Sequence, residues 1–379
     1  MFPLRNLKRN LQKLFRQPFY GIRVFLRRVK ADFFYRTRGG EAPFPEAVTL
    51  FLTYRCNLRC RMCGQWGDKG VTKKNGTLTG DMGFSEAEKV IEEVSGFRPA
   101  VTLFGGEPLI HGKIDDIVRL VKKNRMHCLM ITNGYLLKEH AAALTEAGLD
   151  ELNISIDGPE KTHDSIRGRE GLFRKIKSGV QEVNKLKKGR KPLINLQTTI
   201  TSYNLESLSD MPDTAAELGA DSLTYHHLIF LDESCIGATR SGFPSLGENS
   251  WEGFAFDPGI EPEELWEKLK RAKEKSRSAG VDVNIYPNFT REEMIRYYAD
   301  PAWFPVSYSG KCKSPWICAY IFPDGELRPC LNFGYSFGNL GESSFKDTWN
   351  SPEALRFRNM LSGCGRFPVC GRCTEIFRY

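Results

Sequence analysis

From Ala47 to Leu228 the sequence alternates apolar runs of strand length with amphipathic helical stretches, and that alternation leaves few folds open. The strand candidates are AVTLFLTY (47–54), AVTLF (100–104), CLMIT (128–132), ELNISID (151–157), LINLQTTI (193–200) and SLTYHHL (222–228). Between them lie helical stretches such as SEAEKVIEEVSG, KEHAAALTEAG and FRKIKSGVQEVNKLKKG, the first opened by a capping box from Ser85 to Glu88. A serial βα repeat calls for parallel strands joined by right-handed crossovers. Pattern alone leaves an open doubly wound sheet and a partial barrel both available. In either, loops leaving the C-terminal ends of the strands converge, and chemistry is expected there.

Composition excludes several classes. With 379 residues, 41% hydrophobic and 26% charged, the chain can bury a sizeable core and is not of disordered type. Its eleven cysteines follow a leader with no apolar secretory core, which favours a cytoplasmic, reducing location and metal binding over disulfides. No stretch reaches the roughly 18 apolar residues of a membrane span.

The formal net charge of +8 is concentrated at one end. Residues 1–40 hold eleven Lys or Arg against the single acid Asp32, so the body is slightly acidic and a general nucleic-acid-binding reading loses its support. In this leader Leu4, Leu7, Leu11, Leu14 and Phe15, then Ile22, Phe25, Leu26, Val29 and Phe33, fall at helical intervals. A basic amphipathic helical segment over 1–45 suits contact with a membrane surface through residues 1–38, peripheral on the cytoplasmic face. The alternative is packing on the protein's own body or on a partner.

Beyond the sixth strand, residues 231–260 are rich in Gly, Ser and Pro and are expected to form a long loop. A charged helix (EPEELWEKLKRAKEKSRSAG) and a short strand (VDVNIYP) follow. The last part holds six cysteines in about 75 residues, with a turn at Pro323-Asp324-Gly325. The expected division is a leader over 1–45, a βα domain over 46–300 and a Cys-rich domain over 301–379.

Cys56, Cys60 and Cys63 sit after the first strand, separated by three and then two residues. That spacing is too tight for a disulfide framework and one ligand short of a closed zinc site. A [4Fe–4S] cluster held by three thiolates, with one iron open to a small molecule, answers it most simply. A structural zinc borrowing a fourth ligand is the other reading.

These cysteines resemble the signature of the radical S-adenosylmethionine (radical SAM) superfamily, with Met62 where the family usually has an aromatic residue. The resemblance implies a partial (β/α)6 TIM-like barrel. It also implies that the open iron binds S-adenosyl-L-methionine, whose reductive cleavage gives a 5′-deoxyadenosyl radical able to take hydrogen from an unactivated carbon. Gly105-Gly106-Glu107-Pro108 looks like the family's GGEP motif, with Glu107 accepting from the cofactor's ammonium. Thr132-Asn133-Gly134 ends the third strand. Ser155 and Asp157, which end the fourth, are expected cofactor contacts, and Arg167 resembles an arginine that can fork onto the cofactor carboxylate.

The C-terminal cysteines resemble the SPASM or twitch extension of the same superfamily. Cys312, Cys330, Cys370 and Cys373 would then close one auxiliary [4Fe–4S] cluster, in the shorter twitch form, with a second cluster or a zinc as alternatives. Cys318, in an apolar run, reads as a buried small hydrophobe, Cys364 as an extra ligand or bystander, and Cys128 as core. Cys235 could donate hydrogen to a substrate radical. His226 and His227 must point to opposite faces, so that one can reach the substrate.

The expected function is a net oxidation, such as a dehydrogenation or cross-link, of a small-molecule, sugar or lipid-linked substrate, with an external one-electron donor and no nucleic acid. Only about 45 residues precede the first strand, too few for the peptide-recognition domain that peptide maturases of this superfamily often carry. Such a maturase is nonetheless the runner-up. From another class, a non-catalytic metal-binding scaffold is the alternative.

Overall fold

The computed structural model describes residues 18–66, 70, 80–247 and 251–378. The apolar set from Leu4 to Phe15 lies outside the described residues. Eight parallel strands form the centre: β1 (Ala47–Phe51), β2 (Ala100–Phe104), β3 (His127–Thr132), β4 (Glu151–Ser155), β5 (Leu193–Thr199), β6 (Ser222–His226), β7 (Asp282–Tyr286) and β8 (Cys318–Ile321). Their order is β8-β1-β2-β3-β4-β5-β6-β7, and antiparallel β9 (Glu326–Arg328) and β10 (Gly338–Asn339) extend it beyond β8.

One face of this sheet is apolar and the other largely polar, as period-two alternation requires. Val101, Leu103, Cys128, Met130, Leu152, Ile154, Ile194, Leu196, Leu223 and Tyr225 are buried on the outer face. They are covered by the helices α2 (Phe84–Ser95), α3 (Ile114–Lys123), α4 (Leu137–Glu146), α5 (Glu160–Arg167), α6 (Leu172–Leu186) and α7 (Met211–Glu217), while α1 (Pro18–Thr37) precedes the barrel. The helices present apolar stripes at helical spacing, such as Ile114, Ile117, Val118 and Val121 of α3. On the other face Thr49, Thr102, Leu129, Asn153, Asn195, Thr224, Asn284 and Tyr320, one from each parallel strand, all line a single cavity. The sheet therefore curls on itself as a partial barrel and is not a flat doubly wound sheet. Tyr286 of β7 donates from its hydroxyl to the Thr374 carbonyl at 2.8 Å, so the C-terminal segment lies beside the last strand of the row.

Three local expectations change. The capping box at Ser85 is not used: α2 begins at Phe84 after Gly83, and the Ser85 hydroxyl donates to Glu86 Oε2 instead. Ser85 is already within the first turn, so its side chain has no cap to make. The stretch expected to be a long loop contains a helix, α8 (Glu233–Gly242), capped by Asp232, whose carboxylate accepts from the Cys235 amide. Its Gly and Ser content hid it, and the cap compensates for weak propensity. Finally, Cys318 is buried as expected, but in a strand: β8 pairs in parallel with β1, Ala47 opposite Cys318. The Pro323-Asp324-Gly325 turn forms as read, with the Gly325 amide donating to the Phe322 carbonyl at 3.0 Å.

Candidate active site

The three cysteines of the first constellation lie on the loop after β1, and the GGEP loop after β2 is hydrogen-bonded to it. The Gly106 amide donates to the Thr53 carbonyl at 2.7 Å and the Glu107 amide to the Arg55 carbonyl at 3.0 Å. Both glycines are needed for this approach. A Cβ on Gly105 (φ +153°) would stand 2.6 Å from the Thr53 oxygen, and one on Gly106 2.2 Å from the Arg55 oxygen. Below this joint the Thr53 hydroxyl and the Arg55 guanidinium converge on Asp81, a contact no motif announced.

Glu107 is buried, and its carboxylate ties its own loop to the one after β3. Its Oε1 accepts from the Leu109 amide (3.0 Å) and the Thr132 hydroxyl (2.6 Å), and its Oε2 from the Asn133 amide (2.7 Å). Burial pushes its carboxyl up from the ordinary value, and these donors oppose the shift. Asn133 in turn donates through Nδ2 to Asn57 Oδ1 at 2.8 Å, inside the cysteine loop. Glu107 thus orders the loop edge around the cysteines, and what it can offer a cofactor is its remaining lone-pair capacity.

Glu107→Gln must place an NH2 against either the Leu109 or the Asn133 amide. We expect a loss of about 2–3 kcal/mol in denaturant unfolding, with a fall in cofactor binding. Unchanged stability and binding would show that this carboxylate does not organise the loops.

Arg167 at the end of α5 is not a surface ion pair. Its Nε donates to Asp157 Oδ2 at 2.6 Å, and its Nη1 lies 3.7 Å from Cys60 Sγ. Burial opposes the charge, but Asp157 and Cys60 outweigh it and hold the guanidinium more firmly protonated than usual. Asp157 is fully buried, and its other oxygen accepts from the Thr199 amide at 3.0 Å, which makes it an anchor for Arg167. Ser155 ends β4 on the same face as Asn153, which lines the cavity. The expected fork of Arg167 onto a cofactor carboxylate is therefore partly replaced by contacts within the chain.

The residues present fit a three-thiolate cluster. Burial pushes the Cys56 thiol up to about 11, with Glu107, Cys60 and Cys63 adding to the shift. Burial also raises Cys60, and Arg167 opposes it. The three thiols share one short loop, with the Cys63 amide donating to the Cys60 carbonyl at 3.2 Å, Asn133 Nδ2 4.0 Å from Cys56 Sγ and Arg167 Nη1 3.7 Å from Cys60 Sγ, a soft donor set of the kind that takes up a positively charged group.

The four C-terminal cysteines also come together. Cys312, Cys330, Cys370 and Cys373 line one small cavity walled by Trp251, Phe333, Phe357 and Phe367. Burial pushes Cys312 to about 12 and Cys330 to about 11, and raises Cys370 and Cys373 well above the usual range; neighbouring thiols add to the shift at Cys312, Cys370 and Cys373, and Glu375 to that at Cys330. Among the described residues no three His, Cys, Asp or Glu side chains stand close enough to share one metal ion. A single zinc at about 2.3 Å from each sulfur would draw the four together; a cube of iron and sulfide holds them farther apart. Cys364 is exposed and points at the Leu361 carbonyl, outside this set. Cys128 is fully buried in the outer core, as expected.

Between the two cysteine sets lies the cavity of about 1570 Å³ enclosed by the barrel, lined near one set by Gly64 and Gln65 and at the other by Cys330 and Cys373. His226 faces it, with Nε2 2.5 Å from Gln197 Oε1, while His227 points outward, its Nδ1 2.8 Å from the Tyr298 hydroxyl and its pKa lowered to about 3 by burial. Cys235 is not among the residues lining the cavity. Its thiol is pushed up to about 11 by burial and by Asp232.

Comparison with known proteins agrees with this arrangement. Residues 50–218 match the family model of the radical SAM superfamily, and residues 312–374 that of the SPASM iron–sulfur cluster-binding domain. An AdoMet-dependent heme synthase of Methanosarcina barkeri is 28% identical over 341 residues, covering 87% of this chain and 91% of that protein. The subtilosin biosynthesis protein AlbA of Bacillus subtilis is 23% identical, covering 88% and 68%. Among solved structures, SuiB of Streptococcus suis bound to S-adenosylmethionine superposes with a TM-score of 0.59 at 13% identity, covering 83% of this chain and 68% of that one.

Proposed function

Because the chain belongs to the radical SAM superfamily and carries a SPASM domain, with the [4Fe–4S] cluster, S-adenosyl-L-methionine and auxiliary iron–sulfur chemistry these bring, we propose that it carries out a net oxidation of a small, hydroxyl-bearing substrate held inside the barrel. When bound, the three-thiolate cluster and its cofactor supply a radical that takes a hydrogen atom from an unactivated carbon. In this reading Cys56, Cys60 and Cys63 hold the cluster, Glu107 and Arg167 orient that edge, Gly105 and Gly106 let the loops approach, and Ser155 offers a hydroxyl to the cofactor. Cys312, Cys330, Cys370 and Cys373 hold one auxiliary cluster, which takes up the electron that an oxidation releases.

The observation that carries this is the cavity reaching from the first cysteine loop to Cys330 and Cys373, so a substrate in it lies between both cluster sites. Its walls also speak to the substrate. Asn153, Asn195, Gln197, Thr224 and Asn284 give the walls a neutral polar character, with Asn195 bonded to Asn153 and Glu151 and Gln197 to His226. Among the described residues its arginines are already engaged: Arg240 with Glu252, Arg328 with Asp324 and Glu326, and Arg378 with Glu375. A polycarboxylate macrocycle would need cations to meet its charges, which favours a neutral polar substrate over a tetrapyrrole.

Anaerobic reconstitution is expected to give about eight iron and eight sulfide per chain, for two four-iron clusters. Reduction with S-adenosylmethionine and a deuterated polyol or glycolipid should give 5′-deoxyadenosine carrying deuterium. A fully loaded protein that forms no nucleoside would overturn the catalytic reading; transfer only from carboxylated tetrapyrroles would overturn the substrate class.

A further inference from the structure

Helix α1 packs on the body through Ala31, Phe34, Tyr35 and a set of polar contacts, and turns a second apolar face to solvent. On the inward face Arg28 makes a two-point ion pair with Glu46 at 2.7 and 2.8 Å, Arg27 donates to the Pro45 and Phe97 carbonyls, and Asp32 pairs with Lys313. Tyr35 adds an edge-on contact with Trp316, ring centroids 4.8 Å apart. On the outward face Ile22, Leu26, Val29 and Phe33 follow one another at intervals of four, three and four residues, each more than half exposed. Eight large apolar side chains are exposed among the described residues, and five of them, these four and Phe25, lie on α1. Exposed apolar residues scattered singly need no explanation, but a contiguous stripe along one helix does.

The stripe is bordered by the exposed cations Lys30 and Arg38, with Arg36 paired to Asp32 between them. Asp32, the one acid among the first forty residues, is occupied by Lys313 and Arg36. The geometry points to an anionic bilayer surface as the partner of this face: α1 lies in the headgroup region with Ile22, Leu26, Val29 and Phe33 among the acyl chains and the cations against lipid phosphates. Among the described residues no helix is long and apolar enough to cross a membrane, so the helix lies on the bilayer and does not span it.

Docking also sets an orientation. The residues that hold α1, namely Pro45, Glu46, Phe97, Lys313 and Trp316, all precede the N-terminal ends of β1, β2 and β8, opposite to the Cys56 loop. The floor of the barrel faces the lipid and the cofactor edge faces away. This inference stands on α1 alone and does not depend on the proposed reaction.

The test is vesicle flotation of the full-length, cluster-loaded protein. It should float with phosphatidylcholine vesicles containing phosphatidylglycerol, and bind about tenfold less to phosphatidylcholine alone or when salt is raised to about 0.5 M. The triple variant Leu26→Gln, Val29→Gln, Phe33→Gln should lose at least about tenfold in binding, with cluster absorbance and 5′-deoxyadenosine formation unchanged. A wild-type protein that does not float, or a variant that floats equally well, overturns the proposal, the latter placing attachment elsewhere in the chain. So does a wild-type dimer in sedimentation that the variant abolishes without any vesicle binding, which would make a second copy the occupant.

Discussion

Replacing Cys56, Cys60 and Cys63 together by Ala is expected to reduce formation of 5′-deoxyadenosine to background while about half of the bound iron remains. The two cysteine sets sit at separate places on the sheet, one on the loop after β1 and one in the cavity bounded by Phe333, Phe357 and Phe367. Removing the first leaves the ligands and aromatic walls of the second intact. Cys56, Cys60 and Cys63 are only partly buried and lie in irregular loop, so the folded core should survive their truncation. Iron and sulfide analysis with absorption spectra of both proteins decides the matter. Complete loss of iron would mean that the sets depend on one another, and retention of nucleoside formation would remove the three-cysteine loop from the chemistry.

The second large effect is expected at Arg167. Arg167→Met leaves the fully buried Asp157 carboxylate without its cation, which should cost about 3–5 kcal/mol in unfolding experiments. The same change removes the donor facing Cys60 Sγ, and if Cys60 holds the cluster as proposed, loss of that hydrogen bond should lower the cluster's reduction potential. Combining Arg167→Met with Asp157→Asn separates the two roles. The double variant should regain part of the lost stability, because no unpaired charge stays buried, but not the potential. A potential identical to that of the wild type in both variants would limit Arg167 to holding the fold.

Much of this architecture could be read from the sequence because its physics is local. The strands β2, β3 and β4 alternate buried and half-buried residues at period two, and His226 and His227 take opposite faces for the same reason. The cysteine spacings carry their own meaning, since thiolates so close together have few uses besides a metal. What could not be read depends on contacts between distant segments. Nothing in HDSIRGREG says that Arg167 will meet Asp157 and Cys60 across the barrel mouth. Nothing in WICAYIF says that Cys318 begins a strand beside Ala47. The helix at Glu233–Gly242 was hidden because its residues favour loops unless a cap such as Asp232 offsets them. Glu107 was legible as a site residue, but not its three internal donors, which only the folded loops supply.

The pairing of β8 with β1 has a consequence for how the chain reaches its native state. β1 emerges early in synthesis, while the strand that covers its free side is made nearly last. Until then β1 is an open edge, with unpaired amides beside the apolar side chains of Val48 and Leu50. Closing so long a loop of sequence is slow, and the unfinished chain is the species at risk of self-association. A protein truncated before residue 312 is therefore expected to aggregate during expression, whereas the same piece supplied with residues 312–379 on a separate chain should recover solubility.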